Sequence, residues 1–521
     1  MSTTVEVPPG LFSVLQRASI SGVITSVLVI VVIRLIARAF YRAYFHPLCQ
    51  FPGPKINAAT RIPYLIAAFK GNLVPFAGNL HRQYGDIVRI APDELSIIDP
   101  QAWKDVHGHG SKGSAGSMPR KHWHRYGKPV NHVRNLITCK DDDKHMRMRR
   151  IFLPAFSDRA LRQQEPLFMK YVNILVKKLY GGIEEDPNRK WDMVRMYNFT
   201  TFDIMGDITF GEPLHMLEGG EYDPWVSMIF ASVKFGSRIG IINWYPLLYK
   251  IFKALVPESF AKKRYEHFQH SVQRVTKRLE KGRDSEGVDL WDLVLKQPEG
   301  QGLSRGEMDS NSSLFMVAGT ETTATLVSGL TYLLLKNTAA MKKLNEEIRS
   351  TFANAEDMHM DSIAALPYLN ACIKEALRLY PPVPVGLPRL TPPEGSTVCG
   401  VFIPPGTTIT VPHKVMYTSE KNFKDPQSFI PERWTGEDAR FANDNQFALQ
   451  PFSYGPRDCL GKNMAYHEMR LIVAKVFYNF DLELCPESEG WTEQHTYTLW
   501  EKHPLVLKLK PANSEGMGSK E

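Results

Sequence analysis

Phe452–Gly461 reads FSYGPRDCLG, and the spacing inside it decides how the rest of the chain is read. Gly455 lets the backbone turn where a side chain would clash. Arg457 places a fixed cation two residues before Cys459, and Gly461 permits a close approach just beyond it. Ala465, Met469, Ile472, Val473 and Val476 then recur at helical spacing, so a helix starts directly after the cysteine. The partial positive charge at that helix start favours a thiolate over a thiol. The pattern describes a loop that offers one thiolate to a metal. The plainer alternative is a buried cysteine in a glycine-rich turn.

Composition narrows the function classes. In 521 residues the chain carries a net charge of +8, with 43% hydrophobic and 23% charged residues, which suits a globular protein with a large core. There is no long Lys/Arg tract and no interleaving of arginine with aromatic residues, so no nucleic-acid partner is expected. A mild basic excess suits an anionic membrane surface or an acidic protein. The six cysteines form no CxxC pair, so neither a disulfide framework nor a zinc site is indicated, and most of the molecule is expected to face a reducing compartment.

The N-terminal region has its own signature. Ala18 to Ile33 contains no charged residue and includes VITSVLVIVVI, slightly short of the ~20 residues of a spanning helix. Arg17 and Arg34 can snorkel from its ends. Arg34, Arg38 and Arg42 follow it, which places the bulk of the chain in the cytosol by the positive-inside rule. Pro47, Pro52, Gly53 and Pro54 cannot continue a helix and make a stiff hinge. The divisions expected are a short tail at 1–17, an anchor at 18–40, a Pro-rich hinge at 41–55, one catalytic domain at 56–512 and a disordered tail at 513–521.

The cysteine stretch resembles the heme-ligand loop of the cytochrome P-450 family, the heme-thiolate monooxygenases. The resemblance implies a mainly α fold with a smaller β lobe, one large catalytic domain behind the N-terminal transmembrane helix, and heme b (iron protoporphyrin) as cofactor. It makes Cys459 the axial iron ligand, within a heme-binding loop that includes Phe452, Arg457 and Gly461. A thiolate in that place pushes electron density onto iron.

Further motifs carry the resemblance along the chain. KHMRMRR (Lys144–Arg150) sets His145 and Arg149 four apart on one helix face, where the family has Trp and Arg on a heme propionate. His145 can still donate a hydrogen bond to a carboxylate, while a solvated basic face is the competing reading. AGTETT (Ala318–Thr323) puts Gly, Glu and Thr inside an apolar helix, against local preference. It is similar to the family's acid–alcohol motif. There Gly319 leaves room for dioxygen, Thr322 donates a hydrogen bond to it, and Glu321 relays protons from water. Glu375 and Arg378 form an ExxR pair on a helix that begins near Pro367 and stops at Pro381; with Arg433 of FIPERW they are expected to lock the core. In PPVPVGLPR, Arg389 is implied to pair with a propionate, with Val383, Val385 and Leu387 as candidate substrate contacts.

Other stretches yield smaller expectations. VRIAP and LSIID (Val88–Asp99) alternate like a hairpin, and the alternating Leu/Val near Lys510 suggests a last hairpin, with Thr496–Leu499 reaching the pocket. His107–Gly127 is read as a loop over the substrate cavity, and Phe199–Phe252 as ordinary core or a lid over that pocket that can dip into the membrane. PDELSIIDPQAWKDVHGHG and FSDRALRQQEPL resemble fungal biosynthetic members, which oxidise polyketide, terpenoid or alkaloid intermediates. The family then implies an NADPH-dependent flavoprotein reductase as electron donor, with Lys144, Arg147 and Lys462 as docking candidates, an apolar small-molecule substrate, contact with membrane lipid, and a single-pass place in the endoplasmic reticulum membrane. The alternatives are a heme-thiolate isomerase or dehydratase that needs no reductase, and a non-catalytic heme protein that binds a small ligand.

Overall fold

A computed structural model of the chain describes residues 20–512 except 110–117, 123–124, much of 224–257, 283–288 and 298–301. The expected tails at 1–17 and 513–521 lie outside the described residues, as do parts of the His107–Gly127 loop and of the Phe199–Phe252 segment.

Helix α1, Ile20–Tyr44, carries no acidic residue in its first turn. An 18-residue stretch of its span Gly22–Tyr44 has a mean hydropathy of 2.4 and is not buried against the protein, whereas Ala43 at the end of the helix is. It is long and apolar enough to cross a membrane, and it runs four residues past the expected anchor boundary. The segment after it is not a free linker. Leu48 and Phe51 are buried, the Arg89 amide donates to Pro52 O at 2.8 Å, and Arg89 Nη1 donates to Arg42 O at 2.9 Å. Gly53, at φ +153°, lies so close to Arg89 that a Cβ would meet its carbonyl oxygen at 2.5 Å. The hinge is therefore stiff, as its prolines require, and also fastened to the β lobe.

That lobe is a five-stranded sheet. Strands β1 (Ile87–Ala91) and β2 (Glu94–Ile97) form the expected antiparallel pair, Ile87 opposite Ile97. They continue through strands 408–410 and 389–390 to 120–121, the last two antiparallel with Lys121 opposite Arg389. Leu95 and Ile97 of β2 feed a separate core with Trp103, all fully buried, while Val88 and Ile90 of β1 pack in another with Tyr64 and Leu80. Val506–Pro511 is not half of a terminal hairpin: it is the middle strand of a three-stranded sheet, paired with Phe480–Leu484 on one side and Lys190–Asp192 on the other. The true last hairpin is short, Thr496–Tyr497 against Leu499–Trp500.

The larger lobe is helical: α2 (Asp142–Phe152), α3 (Asp158–Glu185), α4 (Met193–Phe210), α5 (Arg305–Leu335), α6 (Pro367–Leu379) and α7 (Lys462–Asn479). Each start has a local cause. The Asp141 side chain accepts from the Lys144 amide at the head of α2, Ser304 and Glu307 form a capping box on α5, and Pro367 opens α6. Helix α5 runs through the middle of the core. Tyr197 of α4 and Thr331 of α5 share a hydrogen bond at 3.0 Å, and Gly319 lets the two helices close on each other: a Cβ there would sit 2.7 Å from Met205 Sδ.

The ExxR motif behaves as expected. Glu375, Arg378 and Arg433 have fully buried side chains. Glu375 accepts from Arg378 Nε (2.9 Å) and Nη2 (2.7 Å), Arg433 Nε (3.1 Å), Trp434 Nε1 (2.9 Å) and the Ile430 amide (2.9 Å). Five donors on two oxygens exhaust the acceptor capacity of a carboxylate. This knot ties α6 to the segment that leads into the cysteine loop.

Candidate active site

The cysteine loop is a one-turn 3-10 helix, Gly455–Arg457, followed by Cys459 and then α7. Gly455 is obligatory: φ is +78° and a Cβ would strike His107 O at 2.1 Å. Gly461 is not, since its φ is −89° and a Cβ would make ordinary contact with Phe156 at 3.7 Å. The Cys459 amide donates to Phe452 O at 2.8 Å, which closes the loop, and the Phe452 ring packs 5.2 Å from Tyr466 of α7.

Cys459 lies deep within the fold, yet its side chain is exposed, so it opens on space inside the protein. Burial pushes its thiol pKa up; the Gly461 amide, Arg149 and Lys462 oppose this without reversing it. By itself the helix start, whose Gly461 amide acts in the direction expected from the sequence, does not outweigh burial. A metal ion would, because a coordinated thiol is deprotonated outright.

Around this loop the protein gathers cations. Arg457 Nη1 donates to Cys139 O (2.7 Å), and its Nε (3.0 Å) and Nη2 (2.5 Å) donate to Asp142 Oδ1. Both Arg149 Nη groups are held by Asp458, at 2.8 Å on the carbonyl and 2.5 Å on the carboxylate. Arg149 thus clamps the cysteine loop to α2, a role its spacing did not show. Arg389 is 5% exposed, pairs with no carboxylate among the described residues, and has a buried Nε without a hydrogen-bond partner. Burial, then Arg457, lowers its pKa. Lys121, its cross-strand neighbour, is drawn down to about 6 by burial, then Arg389 and Arg457. His145 is buried and drawn down to about 3 by burial, then Arg457, Lys121 and Arg149, so its ring is neutral at pH 7 and offers one N–H. It does not lie on a solvated face.

Like charges directly opposite on neighbouring strands repel. Arg457 and Arg149 have their own carboxylates in Asp142 and Asp458, but Lys121 and Arg389, with His145 beside them, pair with none among the described residues. Heme carries two propionates, and the donor set matches them: the Arg389 guanidinium with its unpartnered N–H, the Lys121 amine, which a nearby anion would charge, and a neutral imidazole donor, next to an inward-facing thiol. The residues present fit the cofactor. Arg389 and His145 were legible from the sequence. Lys121 was not, because its two-residue strand carries no pattern.

On the other side stands α5. Its middle should be buried all round, yet Ala318 is exposed, and Val317, Gly319 and Thr322 are only half-buried. The helix therefore has an open stretch at the acid–alcohol motif. Thr320, Thr322 and Thr323 each donate their hydroxyl to the carbonyl four residues back, Thr322 to Ala318 O at 2.7 Å. Such back-bonding bends helices. Gly319 packs against Met205, so its missing side chain serves helix contact within the protein and not only access to the open stretch. Glu321 does not meet Thr322. It forms a buried ion pair with Lys502, Nζ to Oε1 at 2.6 Å, and Lys502 also donates to Thr325 Oγ1 at 2.7 Å. Nothing in the reading of the sequence singled out Lys502.

Two cavities flank the terminal hairpin. One of about 410 Å³ is lined by Glu321, Val317, Trp500 and Lys502 among others. A smaller one of about 160 Å³ is lined by Val385, Leu387, Tyr126, Thr496 and Thr498. Val385 and Leu387 are thus pocket residues as expected, and Val383 is not among those that line it. Arg147 is engaged with Glu307 and with Gly302 O, so it is not a free docking cation; Lys144 and Lys462 stay exposed.

The family model for cytochrome P450 matches residues 54–509. Similar proteins include the cytochrome P450 monooxygenase efuB of Hormonema carpetanum, 48% identical over 480 residues (92% of this chain, 94% of the relative). FUM2 of Gibberella moniliformis is 46% identical over 481 residues (91% and 99%), and lcsI of Purpureocillium lilacinum 43% over 481 (92% and 92%); both also bear the name cytochrome P450 monooxygenase. The chain belongs to the cytochrome P450 family.

Proposed function

We propose that this chain is a membrane-anchored heme-thiolate monooxygenase that inserts one oxygen atom from O2 into an apolar small molecule, an intermediate of secondary-metabolite biosynthesis. The observation that carries the proposal is the inward-facing Cys459 together with the buried Arg389, which pairs with no carboxylate among the described residues. Heme bound there supplies the redox and oxygen chemistry; the protein supplies orientation, protons and exclusion of water. Cys459 Sγ would ligate the iron, with the loop held by Arg149–Asp458 and Arg457–Asp142. Arg389, Lys121 and His145 would take the propionates. Thr322 Oγ1 would present a hydrogen bond on the open stretch of α5, and Glu321 would hold a proton behind it.

The relatives' shared name supports the reaction class, and the stretches that resemble fungal biosynthetic members support the pathway class. The apolar α1 supports a single-pass anchor, placed in the endoplasmic reticulum with the catalytic domain cytosolic. Electrons would come from NADPH through a separate flavoprotein reductase that docks near Lys144 and Lys462.

The test is metabolite profiling in a host that supplies a reductase. A product heavier by one oxygen, formed with consumption of NADPH, is expected. Turnover of a metabolite without NADPH consumption would instead point to an isomerase or dehydratase.

A further inference from the structure

The larger cavity contains two ion pairs arranged from outside to inside. Lys234 and Glu501 form the outer one, with side chains 37% and 34% exposed; Lys502 and Glu321 form the inner one, at 5% and 6%. The inner pair joins the end of the terminal hairpin to the middle of α5. Its Glu321 Oε2 is buried and has no hydrogen-bond partner. Two buried charges are a costly way to fasten a hairpin to a helix, and apolar side chains would do it at least as well. An ion pair kept there, with one carboxylate oxygen left without a partner at the wall of the cavity, is a group held for chemistry.

Adjacent residues on a helix do not face each other. Thr322 turns its hydroxyl to Ala318 O while Glu321 turns to Lys502, so the acid and the alcohol are not positioned by mutual contact. We propose that Lys502 is the positioning residue for proton delivery. It holds the Glu321 carboxylate where the cavity meets α5, so that Oε2 takes protons from water entering past Lys234–Glu501 and passes them toward the Thr322 side of the helix. This rests on the monooxygenase function proposed above. The balance is R–H + O2 + 2e⁻ + 2H⁺ → R–OH + H2O, with electrons from NADPH through the reductase and protons from solvent. With no organic substrate present, O2 takes either four electrons and four protons to two waters, or two of each to hydrogen peroxide. Misplaced protons favour peroxide, so Lys502 governs the ratio between these branches.

The experiment uses the full-length, heme-loaded protein with reductase and NADPH, and dioxygen alone as the probe. Peroxide formed per NADPH is measured for the wild type, Lys502→Met, Lys502→Arg, Glu321→Gln and the double variant Glu321→Gln/Lys502→Met. Lys502→Met is expected to raise the ratio roughly threefold, well below the effect of losing a general acid outright. Lys502→Arg should restore most of it, and the double variant should exceed neither single change. A wild-type ratio in Lys502→Met, or effects that multiply in the double variant, overturns the proposal. Thermal unfolding of the same variants without heme gives a second readout: each single change should lower the midpoint and the double change should recover it. Additive losses there would mean that the pair does not exist in solution. A heme-loaded wild type that consumes no NADPH, with the thermal cycle still showing the pair, would refute the monooxygenase function itself.

Discussion

The cysteine side and the threonine side of the site are built by opposite means. On the cysteine side the loop residues lie within ten positions of one another, and local geometry shapes the turn that distant α2 then clamps: a 3-10 turn, a left-handed glycine, an amide closing on Phe452 O. On the threonine side the helix supplies Glu321 and Thr322, but what fixes the acid arrives from Lys502, 181 residues away. Local constraint writes itself into spacing. Long-range constraint does not, since a lysine in a short hairpin looks like any surface lysine.

The largest expected effect breaks the cysteine side. Cys459→Ala should abolish the thiolate signature of the reduced carbon monoxide complex, read by difference spectroscopy, while a thermal scan shows the heme-free chain still folded. An unchanged spectrum would move the ligand elsewhere. Thr322→Ala should leave that signature intact, so the two variants separate the two sides cleanly.

Next in size is the knot beneath the loop. Glu375→Gln keeps the shape of the side chain but leaves Arg378 without its carboxylate, and Arg433 with Asp444 alone, in a fully buried place. Breaking a buried pair this way costs about 3–5 kcal/mol. Denaturant unfolding should show that loss, together with poor heme retention, because the same segment leads into the cysteine loop.

The fold was legible wherever periodicity or a breaker ran long enough to be read. Helix α6 follows its apolar stripe from Pro367, and the β1–β2 hairpin follows its alternation. Misreadings came from context. Val506–Pro511 alternates like half of a hairpin, but its partners are two distant strands. Gly319 looked like space for a ligand, whereas its immediate neighbour is Met205. Arg149 matched a propionate contact by spacing, while Asp458 holds both of its terminal nitrogens. In each case the residue type was informative and the partner was not, because partners are set by packing of elements far apart in sequence.

A pH experiment sharpens the contrast between the sides by probing their contact. Glu468 of α7 is 1% exposed, and burial, opposed by a hydrogen bond with Thr323 of α5, pushes its pKa up to about 8. Its folded pKa lies above its unfolded value, so its contribution to stability is whole in acid and is lost as pH rises through about 8. The loss is on the order of 5 kcal/mol at most. Glu468→Gln should flatten the fall of the unfolding midpoint between acid and mildly alkaline pH. Equal slopes for the two proteins would mean that this carboxyl ionises freely.

The smallest effect is the most discriminating, because its sign depends on the cofactor. Lys121 stands opposite Arg389, and neither pairs with a carboxylate among the described residues. In the heme-free chain burial and Arg389 hold Lys121 away from its charged form, so Lys121→Met should raise the unfolding midpoint by the equivalent of up to about 1 kcal/mol, the usual size of a cross-strand pair. In the heme-loaded protein the same change removes a partner for a propionate and should speed heme loss, followed by transfer to an acceptor protein. A lysine that merely fills space would shift both forms in one direction. Only a cation held for an anionic ligand stabilises one form while weakening the other.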